Sequence, residues 1–165
     1  YTFYSIYLES HGYSRSDIGW LWGLGVLAEV MLFMLMHRVL PAVGEHRLML
    51  WSLALAAVRW LMIGYGVDHP ALIWSAQLLH AASFATFHAA AMTLIYRHFG
   101  QGSQGQGQAV YSMLWGTGVA LGAWAAGTVW SAASAPIIFL LAAVLCLVAL
   151  GLLGFGREHG TVARI

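Results

Sequence analysis

Residues 18–40 read IGWLWGLGVLAEVMLFMLMHRVL, and this segment indicates the fold class of the chain. It is apolar on every face of a helix, and Glu29 is the charged residue at its centre. A spanning helix needs about 20 mainly apolar residues, because each residue rises about 1.5 Å through a hydrocarbon core about 30 Å thick. The stretch therefore predicts a transmembrane helix.

Four further stretches are long and apolar enough for the same interpretation. They are residues 48–67, 71–96, 108–131 and 136–156. None of them alternates apolar and polar residues as barrel strands do, and backbone groups in lipid have to be hydrogen-bonded within the protein. We therefore predict five membrane-spanning helices, and we interpret residues 1–8 as the end of another, truncated helix.

The composition excludes several other classes of protein. Apolar residues make up 61% and charged residues 8% of the 165 positions, whereas a soluble domain is about 25% charged. The net charge is +1 with histidine neutral, so the chain lacks the basic surface that binds a nucleic acid. A single cysteine, Cys146, cannot form a disulfide within the chain. The sequence is that of an all-α integral membrane protein.

The connecting segments predict the orientation of the chain in the membrane. We expect polar loops at residues 9–17, 37–47 and 68–70, and a flexible linker at 97–108, whose GQGSQGQGQ run is rich in glycine. One side of the membrane then holds Arg38, Arg47, Arg97, Arg157 and Arg164. The other side holds Arg15. Because arginine is enriched in cytoplasmic loops, we expect the C-terminal tail in the cytoplasm.

Three ionisable residues lie inside the predicted spans, at similar depths. Glu29 is at the centre of the first span, and Arg59 and His80 lie near the centres of the next two. A charged group at this depth costs about 2.5–3.5 kcal/mol on insertion scales, and such groups face the bundle interior and pair with one another. Because transporters bind substrates and coupling ions near the midplane, we predict a proton-coupling centre made of Glu29, Arg59 and His80.

The span at 71–96 also carries a polar and aromatic stripe. Its members recur at helical spacing and therefore share one face; they are Gln77, His80, Phe84, Phe87 and His88. Together with Arg59 and Trp22, these residues are our candidates for binding an amphipathic organic substrate. Histidine suits proton transfer because its ordinary pKa is near 6.5.

Structural alternatives exist for each of these residues. Glu29 and Arg59 could form an ion pair that specifies helix packing, and each histidine could simply bond to a backbone carbonyl. Gln77 could link helices by a hydrogen bond. His80 and His88 are too far apart for a metal site, with no cysteine or second acid nearby. We therefore expect no metal.

Four segments together resemble a known family. They are GWLWGLGVLAEVMLF at residues 19–33, VRW at 58–60, QLLHAASFATFHAAAM at 77–92 and QAVYS at 108–112. In this order they resemble the C-terminal half of the 3-phenylpropionate permease family, a branch of the major facilitator superfamily that includes the lactose permease and nucleoside–proton symporters. The resemblance implies a C-terminal six-helix bundle of a twelve-helix fold, comprising the end of helix seven and helices eight to twelve.

The resemblance also implies roles for residues. The lactose permease keeps an acid on helix eight, an arginine on helix nine and a histidine on helix ten, and Glu29, Arg59 and His80 look like those positions. The acid that follows this histidine by one turn in the lactose permease has no counterpart at Ser83 and Phe84. Proton uptake would therefore fall to Glu29, either alone or together with His80.

The expected function is that of a proton-coupled symporter for a small aromatic carboxylate such as 3-phenylpropionate, in the bacterial inner membrane. Protonation of Glu29 would weaken its pairing with Arg59, which would then bind the carboxylate in a bidentate fashion. His80 and Gln77 would hydrogen-bond the substrate, and Phe84, Phe87 or Trp22 would cover its ring. The expected partners are the lipid bilayer and an N-terminal six-helix half, with protons as the coupling ion and no other cofactor.

Other functions remain open at this point. Within transport, the substrate could be a sugar or a nucleoside, and Arg59 would then bind no carboxylate. The chain could also be a membrane scaffold without transport activity. An intramembrane enzyme is disfavoured because no nucleophile motif such as GxSxG is present, so we expect no enzymatic activity.

Overall fold

The computed structural model describes residues 3–132 and 134–162, without the side chains of residue 101 and residues 156–162. The described residues form helices and no strands. The first three helices are α1 (Tyr4–Ser10), α2 (Arg15–Val43) and α3 (Glu45–Tyr65). A long helical segment, Pro70–Ala132, breaks at Gly100 into α4 (Pro70–Gly100) and α5 (101–132). The last helix is α6 (Ala135–Val162). The predicted all-α class is confirmed.

Four of these helices are long and apolar enough to cross a membrane. They are α2, α3, α4 and the Ala135–Phe155 part of α6. The predicted span at 108–131 is helical, but α5 does not reach the same apolar character, because glycine, glutamine and tryptophan dilute its aliphatic residues. The chain is thus a multi-pass integral membrane protein, and a crossing by α5 stays a prediction.

The predicted flexible linker at 97–108 is wrong, because helix continues almost without interruption through this segment. The reversal needs only Gly100, whose φ of 61° and ψ of 173° suit a residue without a side chain. Gly107 then lets α5 approach α4, since a Cβ there would lie 2.7 Å from Ile95 and Phe99. Close packing decides the structure of a segment whose composition is typical of flexible linkers.

The predicted loop at 37–47 is also much shorter than expected. Helix α2 continues past Pro41 to Val43, and α3 begins at Glu45, so Gly44 alone separates the two helices. Gly44 has a φ of 88°, a conformation that side chains rarely adopt. On the same end of the bundle, Glu45 forms an ion pair with Arg97, which ties the start of α3 to the end of α4.

Helices α4 and α5 run antiparallel from the turn at Gly100. Near the turn, Gln108 Nε2 donates a hydrogen bond of 2.8 Å to the Tyr96 hydroxyl. Farther away, His88 contacts Tyr111, and Phe84 contacts Trp115. In the His88–Tyr111 and Phe84–Trp115 pairs, the two partners lie at similar distances from Gly100 along the two helices. We call this line of contacts the α4–α5 seam.

One end of the bundle is closed around the short helix α1. Tyr4, Tyr7 and Leu8 are fully buried and pack with a core that includes Ile63 of α3 and Phe139 of α6. The Tyr7 hydroxyl donates a hydrogen bond of 2.9 Å to the Gly64 carbonyl oxygen. Lipid chains are as apolar as these side chains, so close contact and hydrogen bonding hold α1 in place rather than exclusion of water.

Beside this core, Tyr13 fastens the segment between α1 and α2. Its hydroxyl donates a hydrogen bond of 2.8 Å to the Val67 carbonyl oxygen. Burial, together with the nearby carboxylates of Asp68 and Asp17, raises the pKa of the Tyr13 phenol, so it stays protonated and remains a donor. Helix α2 then starts with a capping box, in which Ser14 and Asp17 bond reciprocally.

Candidate functional site

The three ionisable residues of the spans meet where α2, α3 and α4 come together. Arg59 Nη1 lies 2.5 Å from His80 Nδ1. The other ring nitrogen, His80 Nε2, lies 3.7 Å from the Glu29 carboxylate. The imidazole therefore stands between the acid and the guanidinium. The direct Glu29–Arg59 pair that we expected is not among the ion pairs of the described residues, because His80 occupies the space between them.

Hydrogen-bond chemistry defines the protonation of this row. A guanidinium donates and cannot accept, so His80 Nδ1 has to accept from Arg59, and the ring proton is on Nε2, toward Glu29. A second proton on the ring would set an N–H against the Arg59 N–H groups. The geometry therefore favours a neutral His80, and it leaves Glu29 as the member of the row that can gain and lose a proton.

The three side chains differ in how far they reach the surface. Arg59 is 5% exposed and packs with its Cζ atom 4.2 Å from the centre of the Trp60 ring. The side chains of His80 and Glu29 are 12% and 22% exposed. Arg59 is thus the least exposed of the three, and its direct contact with a substrate stays a prediction.

Gln77 and Trp22 connect α1 to the rest of the bundle. Gln77 is buried, and its Nε2 donates a hydrogen bond of 2.7 Å to the Tyr4 hydroxyl. Trp22 Nε1 donates a bond of 3.1 Å to Ser5 Oγ, and its ring stands edge-on to Tyr4 at 5.8 Å. Both residues were expected in substrate binding, and the structure places both in contacts with α1.

The expected stripe on α4 divides into two groups. His80, Phe84 and His88 follow one another at i, i+4 spacing, with ring centres 5.5 and 5.8 Å apart, and the last two rings are stacked. Phe87 points elsewhere and packs in a separate apolar cluster around Leu48 and other buried residues. The structure therefore brings His80, Phe84 and His88 together and leaves Phe87 out.

Helix α5 adds two aromatic residues that sequence reasoning missed. The Tyr111 hydroxyl lies 3.0 Å from His88 Nδ1. Trp115 stands edge-on to Phe84 with ring centres 5.8 Å apart, and it stacks on Tyr111 at 6.1 Å. The i, i+4 spacing of Tyr111 and Trp115 was a visible signal, but their contact with α4 depends on the turn at Gly100.

Among the described residues, no three histidine, cysteine, aspartate or glutamate side chains cluster closely enough to bind a metal ion. The chemistry that this site offers is a single titratable acid next to a neutral imidazole, a buried fixed cation and a row of aromatic rings. Such a set can exchange a proton and can bind an anion that carries an aromatic group.

Comparisons with known proteins agree with the membrane architecture. The sequence model described as "MFS_1 like family" matches residues 1–141. Over 113 residues the chain is 40% identical to a protein of Escherichia coli (strain K12) named "Probable 3-phenylpropionic acid transporter". This match covers 68% of the chain and 29% of that relative. No solved structure matches the chain.

Proposed function

The chain belongs to the MFS_1-like family, and from that premise we propose that it is the C-terminal half of a proton-coupled symporter for small aromatic carboxylates such as 3-phenylpropionate. An N-terminal six-helix half would complete the transport cavity, because transporters of this kind bind their substrates between two halves. The name of the Escherichia coli relative supports a substrate of this class. The single observation that carries the proposal is the contact of His80 with both Glu29 and Arg59.

In this proposal Glu29 carries the proton. His80 accepts from Arg59 through Nδ1 and so stays neutral. Glu29, whose carboxylate lies 3.7 Å from His80 Nε2, is then the member of the row that gains and loses the proton. Arg59 acts through His80, because it is buried and keeps the imidazole in one tautomer.

Coupling then follows from charge balance. Arg59 is a permanent cation inside the membrane and is stabilised by one nearby anion. Either ionised Glu29 or the substrate carboxylate can be this anion. The two cannot easily be present together, because two carboxylates about 4 Å apart repel each other by about 4 kcal/mol at an effective dielectric constant of 20. Protonation of Glu29 therefore admits the substrate, whose carboxylate would accept a hydrogen bond from His80 Nε2.

The test is transport by the protein that contains this chain together with its N-terminal half, reconstituted in vesicles with a pH gradient. Glu29→Gln should abolish uphill accumulation of 3-phenylpropionate, because the site loses its titratable acid. The same variant should retain exchange of labelled for unlabelled substrate, because glutamine resembles protonated glutamate. Undiminished uphill uptake by this variant would overturn the proposal.

A matched control is Glu9→Gln. Glu9 is an exposed carboxylate paired with Arg15 outside the site, so uptake should be unchanged. Substrate class is tested in the same assay by competition. Aromatic acids should compete with labelled 3-phenylpropionate, whereas competition by sugars or nucleosides without competition by aromatic acids would favour the alternative symporter.

We further propose the inner membrane of a bacterium as the location, with the C-terminal tail in the cytoplasm. The support is the arginine distribution, with Arg38, Arg47 and Arg97 on the same side as the tail and Arg15 on the other. A cysteine introduced at Arg38 should be labelled by a membrane-impermeant reagent only after the cells are opened, and one at Arg15 should be labelled in intact cells.

A further inference from the structure

The α4–α5 seam contains aromatic side chains that the proton-coupling row does not use. Phe84 and His88 from α4 face Tyr111 and Trp115 from α5. All four are only partly buried, and Trp115 remains 43% exposed although it contacts three other rings.

The geometry of the seam holds these rings in defined orientations. The hydrogen bond between Tyr111 and His88 fixes the His88 ring, which stacks on Phe84 with an interplanar angle of 11°. Trp115 meets Phe84 at 74°, so the two rings form a corner rather than a parallel stack. Phe84 is flanked by His80 and His88 on its two sides, so a further planar ring would pack on the exposed part of Trp115 and meet the edge of Phe84.

The distance from the corner to the charged row suits a short spacer. Phe84 lies next to His80 with a centre-to-centre distance of 5.5 Å, and the four residues from His80 to Phe84 rise about 6 Å along α4. In an arylpropionate, three carbon–carbon bonds of about 1.5 Å each separate the ring from the carboxylate. A carboxylate at His80 would therefore place its ring beside Phe84 and Trp115.

We propose that the corner formed by Phe84 and Trp115, supported by the Tyr111–His88 hydrogen bond, is the subsite that binds the aromatic ring of the substrate. This inference rests on the proposed function, and it assigns the ring to the α4–α5 seam rather than to Trp22 or Phe87. Those two residues pack against α1 and in the Leu48 cluster, respectively. Tyr111 is a positioning residue, since it acts on the substrate through His88.

The experiment measures equilibrium binding of 3-phenylpropionate and of 3-cyclohexylpropionate, whose ring is saturated, to the complete purified protein. Trp115→Leu should weaken binding of the phenyl compound about 2- to 10-fold, as expected for the loss of one aromatic contact. Binding of the cyclohexyl compound should change less, so the preference for the phenyl ring should fall. Trp115→Phe, which keeps a ring, should retain most of the preference and also serves if the leucine variant does not fold.

Trp124→Leu is the matched control. Trp124 is on the same helix and is 71% exposed, so its replacement should leave both affinities unchanged. A Trp115→Leu protein that binds both acids with the wild-type ratio would overturn the ring subsite and leave the proposed function standing. A wild-type protein that binds neither acid would overturn the proposed function itself, and the two failures are thus distinguishable.

Discussion

Aromatic side chains are buried around α1 but remain partly exposed along the α4–α5 seam. Around α1, the rings of Tyr4 and Tyr7 are fully buried and have hydrogen bonds to Gln77 and to the Gly64 carbonyl. Along the α4–α5 seam, comparable rings stack on one another and stay partly exposed. The same residue types thus close one region and leave the other open, so composition alone does not reveal which aromatic residues are available to a ligand.

The difference in burial arises from how closely the helices next to the rings pack. At the α1 end, Gly64 of α3 allows close approach, since a Cβ there would lie only 2.9 Å from the Cβ atom of Phe139. Along α5, most glycines have no neighbour within 4 Å; examples are Gly116, Gly118 and Gly122. We therefore expect the closed end to carry the stability of the bundle and the open seam to carry binding.

Gly64→Val, at the closed end around α1, should have the largest effect on the stability of the bundle. The added side chain overlaps Phe139 in a region without free space, and overpacking of this kind typically destabilises by about 1–3 kcal/mol. Thermal unfolding of the purified protein should show a clear fall in the unfolding midpoint. Gly154→Val on α6, where nothing lies within 4 Å of the added Cβ, should have little effect, and equal losses in both variants would break the contrast.

A second substitution should loosen the seam without disturbing the closed end. Gly100→Ala forces a side chain into a conformation that only glycine adopts readily, at about 1–3 kcal/mol. We expect lower stability together with weaker binding of 3-phenylpropionate. Gly102→Ala is the comparison, since Gly102 is helical and has open space around it. Stability equal to wild type in the Gly100 variant would contradict the single-residue turn.

The smallest effects are expected from removing one tyrosine hydroxyl at the closed end and one in the α4–α5 seam. Tyr7→Phe removes the buried hydrogen bond to Gly64 and should cost about 1 kcal/mol of unfolding free energy. Tyr111→Phe removes a partly exposed bond to His88 and should change stability less, while it weakens substrate binding. Both variants are measured by thermal unfolding and by binding of 3-phenylpropionate. A larger loss of stability in Tyr111→Phe together with a larger loss of binding in Tyr7→Phe would contradict the proposed division between stability and binding.

Several features of the site could be predicted from particular residues. Glu29, Arg59 and His80 were recognisable because an ionisable group is expensive in hydrocarbon and therefore seeks a partner. The order of contacts within this row was not predictable. Spacing along separate helices does not say which of two neighbours an imidazole will touch, so the insertion of His80 between the other two was seen only in the structure.

The segment at 97–108 shows why part of the fold was missed. Its glycines predicted flexibility, yet Gly100 makes a tight reversal and Gly107 makes a close helix contact. Glycine serves either purpose, because the absence of a side chain permits both disorder and close approach. Because the turn at Gly100 was not predicted, the contacts of Tyr111 and Trp115 with His88 and Phe84 could not be predicted either.

A bundle of apolar helices in a membrane could be predicted from the amino-acid sequence, because the length of each apolar run and the isolation of its charges are local properties. Which polar groups touch, and which rings remain open to a ligand, became visible only from the packing of the helices. Those outcomes depend on the rotation and separation of neighbouring helices, and these are set by close contacts between residues far apart in the chain.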